Sequence, residues 1–399
     1  MEVRAIRKEE KPLLTELQAR SFFFAYDRKE LAEKLEKDDR NWRTGRAAFD
    51  DAGHMLAGLE LIPFDVWFDG QSVGMGGIGG VASRVEERRG GNVRRIFESI
   101  MQEMYDRGDV FSYLQPFSHV YYRKFGYEAT LTQRTITAPA APLLAHGLPG
   151  RAEQFLPGED GTDPSSIVEI YNAFAARHNQ AIDRAGWLWE RILEHDPAKD
   201  RTYTFLWRDE TDRPCAYAIL NAKDNWNSSE LTVKEAAWLD KTALRGLMGF
   251  LGRFGGNVKK LVWTVPSSFA PEMFWEEAWD VETATRYSGM NRVVNAAEAL
   301  KRLRKPAGQG SVRIAVHDAF FPKNTGVYKV DWENGDGAVK KTRSAAADME
   351  CSIQALAQLV VGYLPFEDIA MRPDVTVTAK AAELDALFRK KALYLADYF

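Results

Sequence analysis

The chain has 399 residues, of which 45% are hydrophobic and 28% charged, a composition typical of an ordinary globular protein. Its formal net charge of -4 argues against nucleic acid as a partner, and its length predicts two to four domains. Cys215 and Cys351 lie far apart in apolar surroundings, which indicates neither a disulfide framework nor a cysteine metal site. The N-terminus does not resemble a signal peptide, and no apolar run of about 18 residues occurs, so we expect a cytoplasmic protein without a membrane partner.

The first block of the sequence predicts a mixture of strands and helices. A short strand at "VRAI" precedes an amphipathic helix within "KEEKPLLTELQARSFFF". Strands follow up to Ser83, with tight turns at Asp50 to Gly53 and at Asp69-Gly70. A helix is predicted at "NVRRIFESIMQEM", because its apolar residues recur at helical spacing, and a strand near "VFSYLQPF". The stretch "APAAPLLAHGLPG" is rich in Ala, Pro and Gly and predicts a linker.

The second and third blocks continue this alternation. The second has predicted helices at "PSSIVEIYNAFAARHN" and "GWLWERILEHD", strands at "TYTFLWRDETDRPCAYAILNAK" and "ELTVKEAAWL", and a helix at "KTALRGLMGFLGRFG". This order loosely repeats that of the first block, which indicates a duplicated fold. The third has predicted strands at "GSVRIAVHDAF", "TGVYKVDWENG" and "GAVKKTRS", and helices at "NAAEALKRL", from Ile353 to Gly362 and from Ala381 to Lys390.

One segment, from Gly76 to Met104, indicates a binding site. It reads "GGIGGVASRVEERRGGNVRRIFESIMQEM", which is a glycine-dense strand, a turn with arginines and glycines, and the start of a helix. A helix N-terminus presents free N–H groups and the positive end of the helix dipole, and glycines let an anion approach closely. The spacing is that of neither a P-loop nor a Rossmann fingerprint. These residues fit either a phosphate site or a solvated turn that caps an ordinary helix. The equivalent junction of the second block, "EAAWLDKTALRGLMGF", lacks the paired glycines.

The segments around this turn resemble the Gcn5-related N-acetyltransferases (GNAT). In that family a splayed strand pair binds the pantetheine of acetyl-coenzyme A (acetyl-CoA), an Arg/Gln-x-x-Gly-x-Gly/Ala turn holds the pyrophosphate, and "FYxKxGF" commonly follows the next strand. Here Arg88, Gly91 and Val93 occupy the positions of the turn, and "YYRKFGYE" follows "FSYLQPF". Val93 departs from the Gly or Ala of the wider family, although large apolar residues also occur there in one branch of it.

That branch is the enhanced-intracellular-survival (Eis) family of multi-acetylating GNAT enzymes, which the whole chain resembles. The resemblance rests on "LIPFDVWFDGQSVGMGGIGGVAS", "YYRKFGYE", the second block without a coenzyme loop, a sterol-carrier-like third block and the terminal "DYF". It implies an α+β fold class with two tandem GNAT-like domains, each a mixed sheet flanked by helices, at 1–140 and 150–288. A sterol-carrier-protein-like α+β domain follows at 290–399. The resemblance also implies an acyltransferase that uses acetyl-CoA as co-substrate and no metal, and a homo-oligomer, expected to be a hexamer.

The resemblance implies two groups of coenzyme contacts in this sequence. Backbone groups of Val81, Ala82 and Ser83 are expected to face the pantetheine, and the turn is expected to wrap the pyrophosphate through Arg89, Gly90, Gly91, Asn92, Val93 and Arg94. Arg88 either adds charge for the phosphates or is an ordinary surface arginine. Phe117 and Ser118 match a second pair of contacts after the next strand.

Acetyl transfer to an amine needs a base, because an amine of pKa near 10 is almost wholly protonated at neutral pH, and a donor for the leaving thiolate. The resemblance implies Tyr122, directly before "RKFGY", as general acid and the α-carboxylate of Phe399 as general base. Tyr122 also fits an ordinary core tyrosine, and Phe399 a frayed terminus, but the three aromatics of "LYLADYF" favour docking. An α-carboxylate of pKa about 3.5 is a weak base, so burial or a water relay has to assist it.

The expected acceptor is a primary amine on a small polycation of the aminoglycoside or polyamine type. Five carboxylates are candidates for a negative pocket around it: Glu60, Asp183, Glu190, Glu194 and Asp397. Two alternatives stay open, namely a lipid- or small-molecule-binding protein whose GNAT domains are scaffolds, and a protein-lysine or N-terminal acetyltransferase. The six histidines show no HxxxH or HExxH spacing, which disfavours a metal site.

Overall fold

A computed structural model describes residues 1–37, 40–156, 163–222, 230–343 and 346–399. Lys223 and Ser344, which end two of the segments predicted to be strands, lie outside the described residues. The strands are β1 (Glu2–Ala5), β2 (Gly45–Phe49), β3 (Met55–Phe68), β4 (Gln71–Ser83), β5 (Phe111–Leu114), β6 (Glu128–Ala138), β7 (Gly150–Phe155), β8 (Ile182–Asp183), β9 (Thr202–Asp209), β10 (Pro214–Ala222), β11 (Glu230–Trp238), β12 (Lys260–Val265), β13 (Glu282–Val293), β14 (Gln309–His317), β15 (Gly326–Glu333), β16 (Asp336–Thr342), β17 (Met349–Ser352) and β18 (Val375–Val377). The α-helices are α1 (Lys11–Phe22), α2 (Arg28–Lys37), α3 (Arg40–Arg43), α4 (Asn92–Arg107), α5 (His119–Arg123), α6 (Ser165–Ala175), α7 (Gly186–Leu193), α8 (Pro197–Asp200), α9 (Lys241–Gly252), α10 (Ala296–Arg302), α11 (Ile353–Val361), α12 (Phe366–Ala370) and α13 (Ala381–Leu387).

A single large sheet runs through the first two blocks of the described chain. Its strand order is β1-β2-β3-β4-β5-β13-β6-β12-β11-β10-β9-β7, and β8 pairs with β3. Strand β13, from the end of the second block, lies between β5 and β6 of the first block and is antiparallel to both. The boundary that the sequence suggests between 288 and 290 therefore falls inside a strand that belongs to the first half of the sheet.

Local sequence explains the central hairpin and the helix that covers it. Strands β3 and β4 are joined at Asp69 and Gly70, whose φ angles of 50° and 81° suit the tight hairpin turn that an Asp-Gly pair favours. Alternate residues of β4 face opposite sides of the sheet. Met75 packs toward the third block, whereas Ile78 packs with the apolar face of α4, formed by Ile96, Phe97, Ile100, Met101 and Met104.

The second half of the sheet repeats this arrangement. Strands β10 and β11 form an antiparallel hairpin, α9 follows, and β12 pairs parallel to β11. In the first half, β3 and β4 form the hairpin, α4 follows, and β5 pairs parallel to β4. The predicted duplication is confirmed by this shared topology.

The stretch predicted as a linker connects the two halves, and part of it is packed against the second half. Ala140 and Leu143 are fully buried, and glycines of α9 and the turn after it approach the backbone of this stretch closely. Part of the predicted linker is therefore packed against α9, which composition alone does not reveal.

The third block forms a separate sheet and shares a core with the first block. Its strand order is β16-β15-β14-β17-β18. Helix α11 packs on β13 and β6 of the large sheet, and one apolar cluster includes Phe68 and Phe111 of the first block with Val312 and Leu356 of the third. The α+β fold class and its three-part organisation are as the sequence predicts. No helix among the described residues combines the length and apolarity needed to cross a bilayer.

Candidate active site

The first half of the sheet contains a gap between two parallel strands. Strands β4 and β5 pair only from Met75 with Phe111 to Ile78 with Leu114. Strand β5 ends there, while β4 continues to Ser83 with β3 on its other side. A bulge in the β3–β4 ladder follows Gly79, and Gly80 has a φ of +55° that favours glycine. The backbone of β4 beyond Ile78 therefore has one edge free of β5.

The N-terminus of α4 follows this strand after a turn of eight residues. Its N-cap residue is Gly91, with φ +80°, and no side chain caps the helix there. Arg89 also has a positive φ, of 71°. The first N–H groups of a helix have no intrahelical acceptor, so this end offers donors and a positive dipole to an anion.

The residues predicted to contact coenzyme are gathered around the gap and the helix start. Arg88, Arg89, Gly90 and Gly91 are exposed, and Val81, Ser83 and Val93 are half-buried. Two side chains have other contacts: Ala82 packs in a small core with Leu14 and Leu17 of α1, and Arg94 pairs with Glu98 at 2.9 Å. Ala82 and Asn92 are buried, so a ligand can reach only their backbone groups, whereas the Arg94 side chain is exposed.

The second predicted contact pair lies at the start of α5. Phe117 is exposed, and its ring lies 5.2 Å from that of Tyr121 and 5.4 Å from that of Tyr122. The Ser118 hydroxyl caps α5 by accepting a hydrogen bond from the N–H of Tyr121 at 3.3 Å. Ser118 thus fixes the helix that carries Tyr122.

Tyr122 is buried among aromatic rings. It contacts Phe97, Tyr121, Phe125 and Tyr127, with ring centroids between 5.2 and 6.5 Å apart. Burial raises the pKa of its hydroxyl, and the neighbouring tyrosines Tyr121 and Tyr127 raise it further. Within the described residues the Tyr122 hydroxyl has no hydrogen-bond partner, whereas the Tyr127 hydroxyl lies 2.6 Å from Ser112 Oγ.

The C-terminal residue is docked where β4 and β5 part. The ring of Phe399 packs against Phe64 at 4.9 Å. A Cβ at Gly77 would lie 2.7 Å from the Phe64 ring and 2.8 Å from the Phe399 ring, and a Cβ at Gly79 would lie 3.5 Å from the Phe399 carboxyl carbon. Gly77 and Gly79 are two apart in one strand and so face the same side. The glycine-dense strand therefore makes room for the C-terminus.

An ion network in the second block holds the segment before Phe399. Arg184 donates from Nε to Asp397 at 3.0 Å and from Nη1 to Glu235 at 2.9 Å, and all three side chains are buried. Burial raises the pKa of Asp397. Burial also acts to raise the pKa of Glu235, but the charge of Arg184 and hydrogen bonds from Arg184 and Tyr217 lower it overall.

The predicted negative pocket is only partly supported by the arrangement of its five carboxylates. Asp397 is bound to Arg184, and Asp183 accepts a hydrogen bond from Ser72 at 2.6 Å. Glu60 is the cross-strand partner of Gly79 and pairs with Lys11 at 2.5 Å. Glu190 and Glu194 are exposed. Asp397 is therefore not a free acceptor-binding carboxylate in this arrangement, because it is buried and already bound to Arg184.

Two features of this site are absent from the sequence-based prediction. The spacing of Gly77 and Gly79 is a signal that was available, since glycines at alternate positions clear one face of a strand. Arg184 gives no such signal, because it lies 213 residues from Asp397 and 51 from Glu235. The described residues contain no group of three or more His, Cys, Asp or Glu side chains that fits a metal.

Comparison with known families assigns all three parts of the chain. Residues 2–130 and 181–293 match acetyltransferase (GNAT) domain families, and residues 293–396 match a sterol carrier protein domain. No match was found among curated protein sequences.

Several solved structures share the fold over the entire chain. A GCN5-related N-acetyltransferase from Anabaena variabilis is 20% identical, with both chains fully covered and a TM-score of 0.86. A probable N-acyltransferase from Enterococcus faecalis is 21% identical, with 100% of this chain and 99% of that chain covered and a TM-score of 0.84. Eis1 from Mycobacterium abscessus is 17% identical, with both chains fully covered and a TM-score of 0.81.

The two matched domains and the fold place the chain among the GNAT acetyltransferases. Its order of two GNAT domains and a sterol carrier domain is the Eis-like architecture that the sequence predicts. GNAT domains use acetyl-CoA, and the protein is an acetyltransferase of this class.

Proposed function

We propose that the protein transfers acetyl from acetyl-CoA to a primary amine of a small polycationic acceptor, with the α-carboxylate of Phe399 as base and Tyr122 as hydrogen-bond donor. The observation that carries this proposal is the docking of Phe399 beside Gly79, at the point where β4 and β5 part. A docked C-terminus brings a carboxylate to the strand gap that characterises coenzyme sites in this family.

The first domain has features that suit the coenzyme. The edge of β4 from Gly79 to Ser83 is not paired with β5 and can bond to amide groups, except at the Gly80 carbonyl, which accepts a hydrogen bond from Gln18 Nε2 at 3.1 Å. The N-terminus of α4 can bond to phosphates. A cavity of about 320 Å³ borders the end of β4, with Ser83 and Arg84 on one side and Leu13 and Leu17 of α1 on another. Bound there, acetyl-CoA supplies the acetyl group as an activated thioester.

The terminal carboxylate has the role of freeing the amine. An ammonium group must lose a proton before its nitrogen lone pair can attack the acetyl carbon. The carboxylate of Phe399 takes that proton, the N–C bond forms, and the C–S bond breaks. The second proton that the nitrogen loses goes to the departing thiolate, which is released as coenzyme A thiol. A carboxylate next to the acceptor also attracts a cation.

Tyr122 has the role of stabilising the sulfur that leaves. A tyrosine pKa near 10 already exceeds a thiol pKa near 8.5, and burial raises that of Tyr122 further. Full transfer of the tyrosine proton to the thiolate is therefore uphill. Donation of a hydrogen bond while the proton stays on the tyrosine oxygen fits this pKa better, and the hydroxyl has no competing partner among the described residues.

The lipid-binding alternative is less well supported. The apolar residues of the third block, such as Val312 and Leu356, pack in one cluster with Phe68, Phe111 and other residues of the first block. An apolar face that is already packed against a neighbouring domain stabilises the molecule and is not free for a lipid. The third domain is in this account a structural support for the active site.

The test is the release of coenzyme A thiol from acetyl-CoA over a panel of amines, including spermidine, an aminoglycoside and a lysine peptide. We expect release with the small polycations and a strong loss of it in Tyr122→Phe. Release with the lysine peptide alone would favour the protein acetyltransferase. No release with any amine, despite coenzyme binding, would refute the proposal.

A further inference from the structure

We propose that Arg184 is a positioning residue for the terminal carboxylate, and that the second GNAT domain has become the holder of the C-terminal segment 392–399. This inference rests on the proposed role of Phe399 as base. It adds a function for a domain that lacks the glycine turn of the first.

The C-terminal segment runs over the second domain at the place that corresponds to the coenzyme gap of the first. Strands β11 and β12 pair only from Glu230 with Lys260 to Val233 with Trp263, and β11 then continues to Trp238 with β10 on its other side. As in β4, a bulge lies just beyond the residues that pair with the parallel strand, because the β10–β11 register shifts between Val233 and Glu235. The second domain therefore also has a strand pair that parts.

The C-terminal segment contacts both sides of this second gap. After the end of β12, the N–H of Ser267 donates to the Leu393 carbonyl at 3.2 Å, and the N–H of Leu393 donates to Ser267 Oγ at 3.0 Å. Tyr394 is buried against Phe174, with ring centroids 5.3 Å apart. On the β11 side, Glu235 lies beyond the part of the strand that pairs with β12, and it is linked to Asp397 through Arg184.

Arg184 is held too firmly to be a passive contact. Its guanidinium lies 3.9 Å from the ring centre of Tyr171 and 4.8 Å from that of Trp189. Nε lies 3.0 Å and Nη2 3.2 Å from the Asp397 carboxylate, and the remaining donors face Glu235. The guanidinium is planar, donates to carboxylates on two of its edges and stacks on aromatic rings. It therefore fixes both the distance and the orientation of the Asp397 carboxylate.

The contact of Arg184 with Asp397 and Glu235, here called the clamp, lies close enough to Phe399 to determine the position of the terminal carboxylate. Asp397 precedes Phe399 by two residues, and an extended chain spans at most about 3.6 Å per residue. With Asp397 fixed on one side and the Phe399 ring packed on Phe64 and over Gly77 on the other, the terminal carboxylate has little freedom. Misplacement of a reacting group by about 1 Å can cost about a hundredfold in rate.

The second domain also differs from the first where phosphate would bind. The Asp240 side chain caps α9 by accepting hydrogen bonds from the N–H groups of Thr242 and Ala243, both at 2.9 Å. A carboxylate at the helix start repels a phosphate and uses the donors that a phosphate needs. The two domains thus have one topology and different occupants, coenzyme in the first and the chain's own C-terminus in the second.

The experiment compares clamp variants by turnover and by access to the C-terminus. Arg184→Met would leave two buried carboxylates unpaired and risks unfolding. The variants are therefore Asp397→Asn, which keeps the Arg184–Glu235 pair, and Arg184→Lys. The lysine keeps the positive charge but cannot donate to both carboxylates with the planar geometry of a guanidinium. Each is assayed for kcat, for coenzyme dissociation constant and for release of Phe399 by a carboxypeptidase. The matched control is Asp374→Asn, because Arg372 likewise bridges two carboxylates, Asp374 and Glu128.

We expect both clamp variants to lower kcat by about tenfold or more and to speed the release of Phe399, with an unchanged coenzyme dissociation constant. The Asp374→Asn control should change none of the three. Unchanged kcat and unchanged release of Phe399 in both clamp variants would overturn the inference. A chain extended beyond Phe399 separates failure of the clamp from failure of the proposed base. If the extension lowers kcat while the clamp variants do not, only the clamp is refuted. If the extension has no effect on kcat, the proposed base is refuted as well.

Discussion

At the scale of single residues, the burial of Tyr122 determines what its hydroxyl can do. Its surroundings are aromatic, and burial raises the pKa of the hydroxyl above the ordinary tyrosine value. A raised tyrosine pKa keeps the neutral, proton-bearing form at higher pH than usual. Tyr122 should therefore remain a hydrogen-bond donor throughout the neutral and mildly alkaline range.

The first prediction follows from this pKa. Tyr122→Phe should lower kcat by about a hundredfold and leave the coenzyme dissociation constant unchanged. In the unaltered protein, kcat should not fall through Tyr122 ionisation between about pH 8 and about pH 10, because the folded pKa lies above the usual value near 10. Tyr328→Phe is the control, since Tyr328 is also buried but bonds to the Asn324 carbonyl at 2.8 Å in the third domain. A similar loss of kcat in both variants would contradict a special role for Tyr122.

The second prediction concerns Gly77, which lies beneath the ring of Phe399. In Gly77→Ala the methyl group would overlap the Phe64 and Phe399 rings and move the C-terminus. We expect a fall in kcat of about tenfold and a loss of stability of about 1–3 kcal/mol, measured by thiol release and denaturant unfolding. Gly256→Ala is the control, because a Cβ at Gly256 has nothing within 4 Å. Wild-type kcat in Gly77→Ala would mean that the position of Phe399 is unimportant for turnover.

Residue-scale prediction from the sequence depends strongly on how local the signal is. Tyr122 and Phe399 are identified through the motifs "YYRKFGYE" and "DYF", which resemblance alone links to catalysis. The docking of Phe399 is visible in the structure, while the catalytic roles of both residues remain proposals. Arg184 has no recognisable motif, because its meaning comes from Glu235 and Asp397, which are distant in the chain.

At the scale of elements, the starts of α4 and α9 show how one topology gives two kinds of helix end. Eight residues separate β4 from α4, and the N-cap is Gly91 without a capping side chain. Two residues separate β11 from α9, and the N-cap is Asp240, whose carboxylate accepts two backbone hydrogen bonds. The first end is available to an anion and the second is not.

The third prediction compares the two ends of α4. Gly91 and Gly108 flank the helix and have φ angles of +80° and +91°, and a Cβ added at either would have nothing within 4 Å. Replacement of either by Ala should cost about 1–2 kcal/mol of stability, because of the left-handed backbone. Only Gly91→Ala should also weaken acetyl-CoA binding, by about tenfold, or about 1.4 kcal/mol. Equal dissociation constants for the two variants, measured by calorimetry, would remove the Gly91 turn from the coenzyme site.

The fourth prediction concerns the second domain. Asp240→Ala should lower stability by about 1 kcal/mol through loss of the helix cap, without change in coenzyme affinity or in kcat. Calorimetry of the unaltered protein should give one bound coenzyme per chain. Two coenzymes per chain would contradict a second gap occupied by the C-terminus.

Sequence patterns predict most elements and miss those whose pairing is non-local. The helices at α4, α6, α9 and α11 follow from apolar periodicity, and the β3–β4 turn follows from its Asp-Gly pair. The insertion of β13 between β5 and β6 does not, because it depends on a pairing of strands that are far apart in the chain, such as Asn291 with Tyr113 and with Glu128. Periodicity specifies a strand but not its neighbours.

At the scale of the whole molecule, all three domains contribute to the proposed active site. The first provides the strand gap and Tyr122, the third leads into the C-terminal segment, and the second holds that segment through Arg184. The first and third domains share an apolar cluster, and the first and second share one sheet. These contacts fix the positions of the parts relative to one another. Such an arrangement suits the proposed role of the last residue as base, since all three domains help to fix its position.

The most direct test of this account is to neutralise the C-terminal carboxylate without changing its shape. Protein ligation can produce the full chain with the α-carboxylate of Phe399 replaced by a carboxamide, and ligation of the natural C-terminus gives the matched control. The account predicts that the amide form binds acetyl-CoA as the control does, retains a docked C-terminus and has a kcat lower by about a hundredfold or more. An amide form with the same kcat as the control would show that Phe399 is not the base.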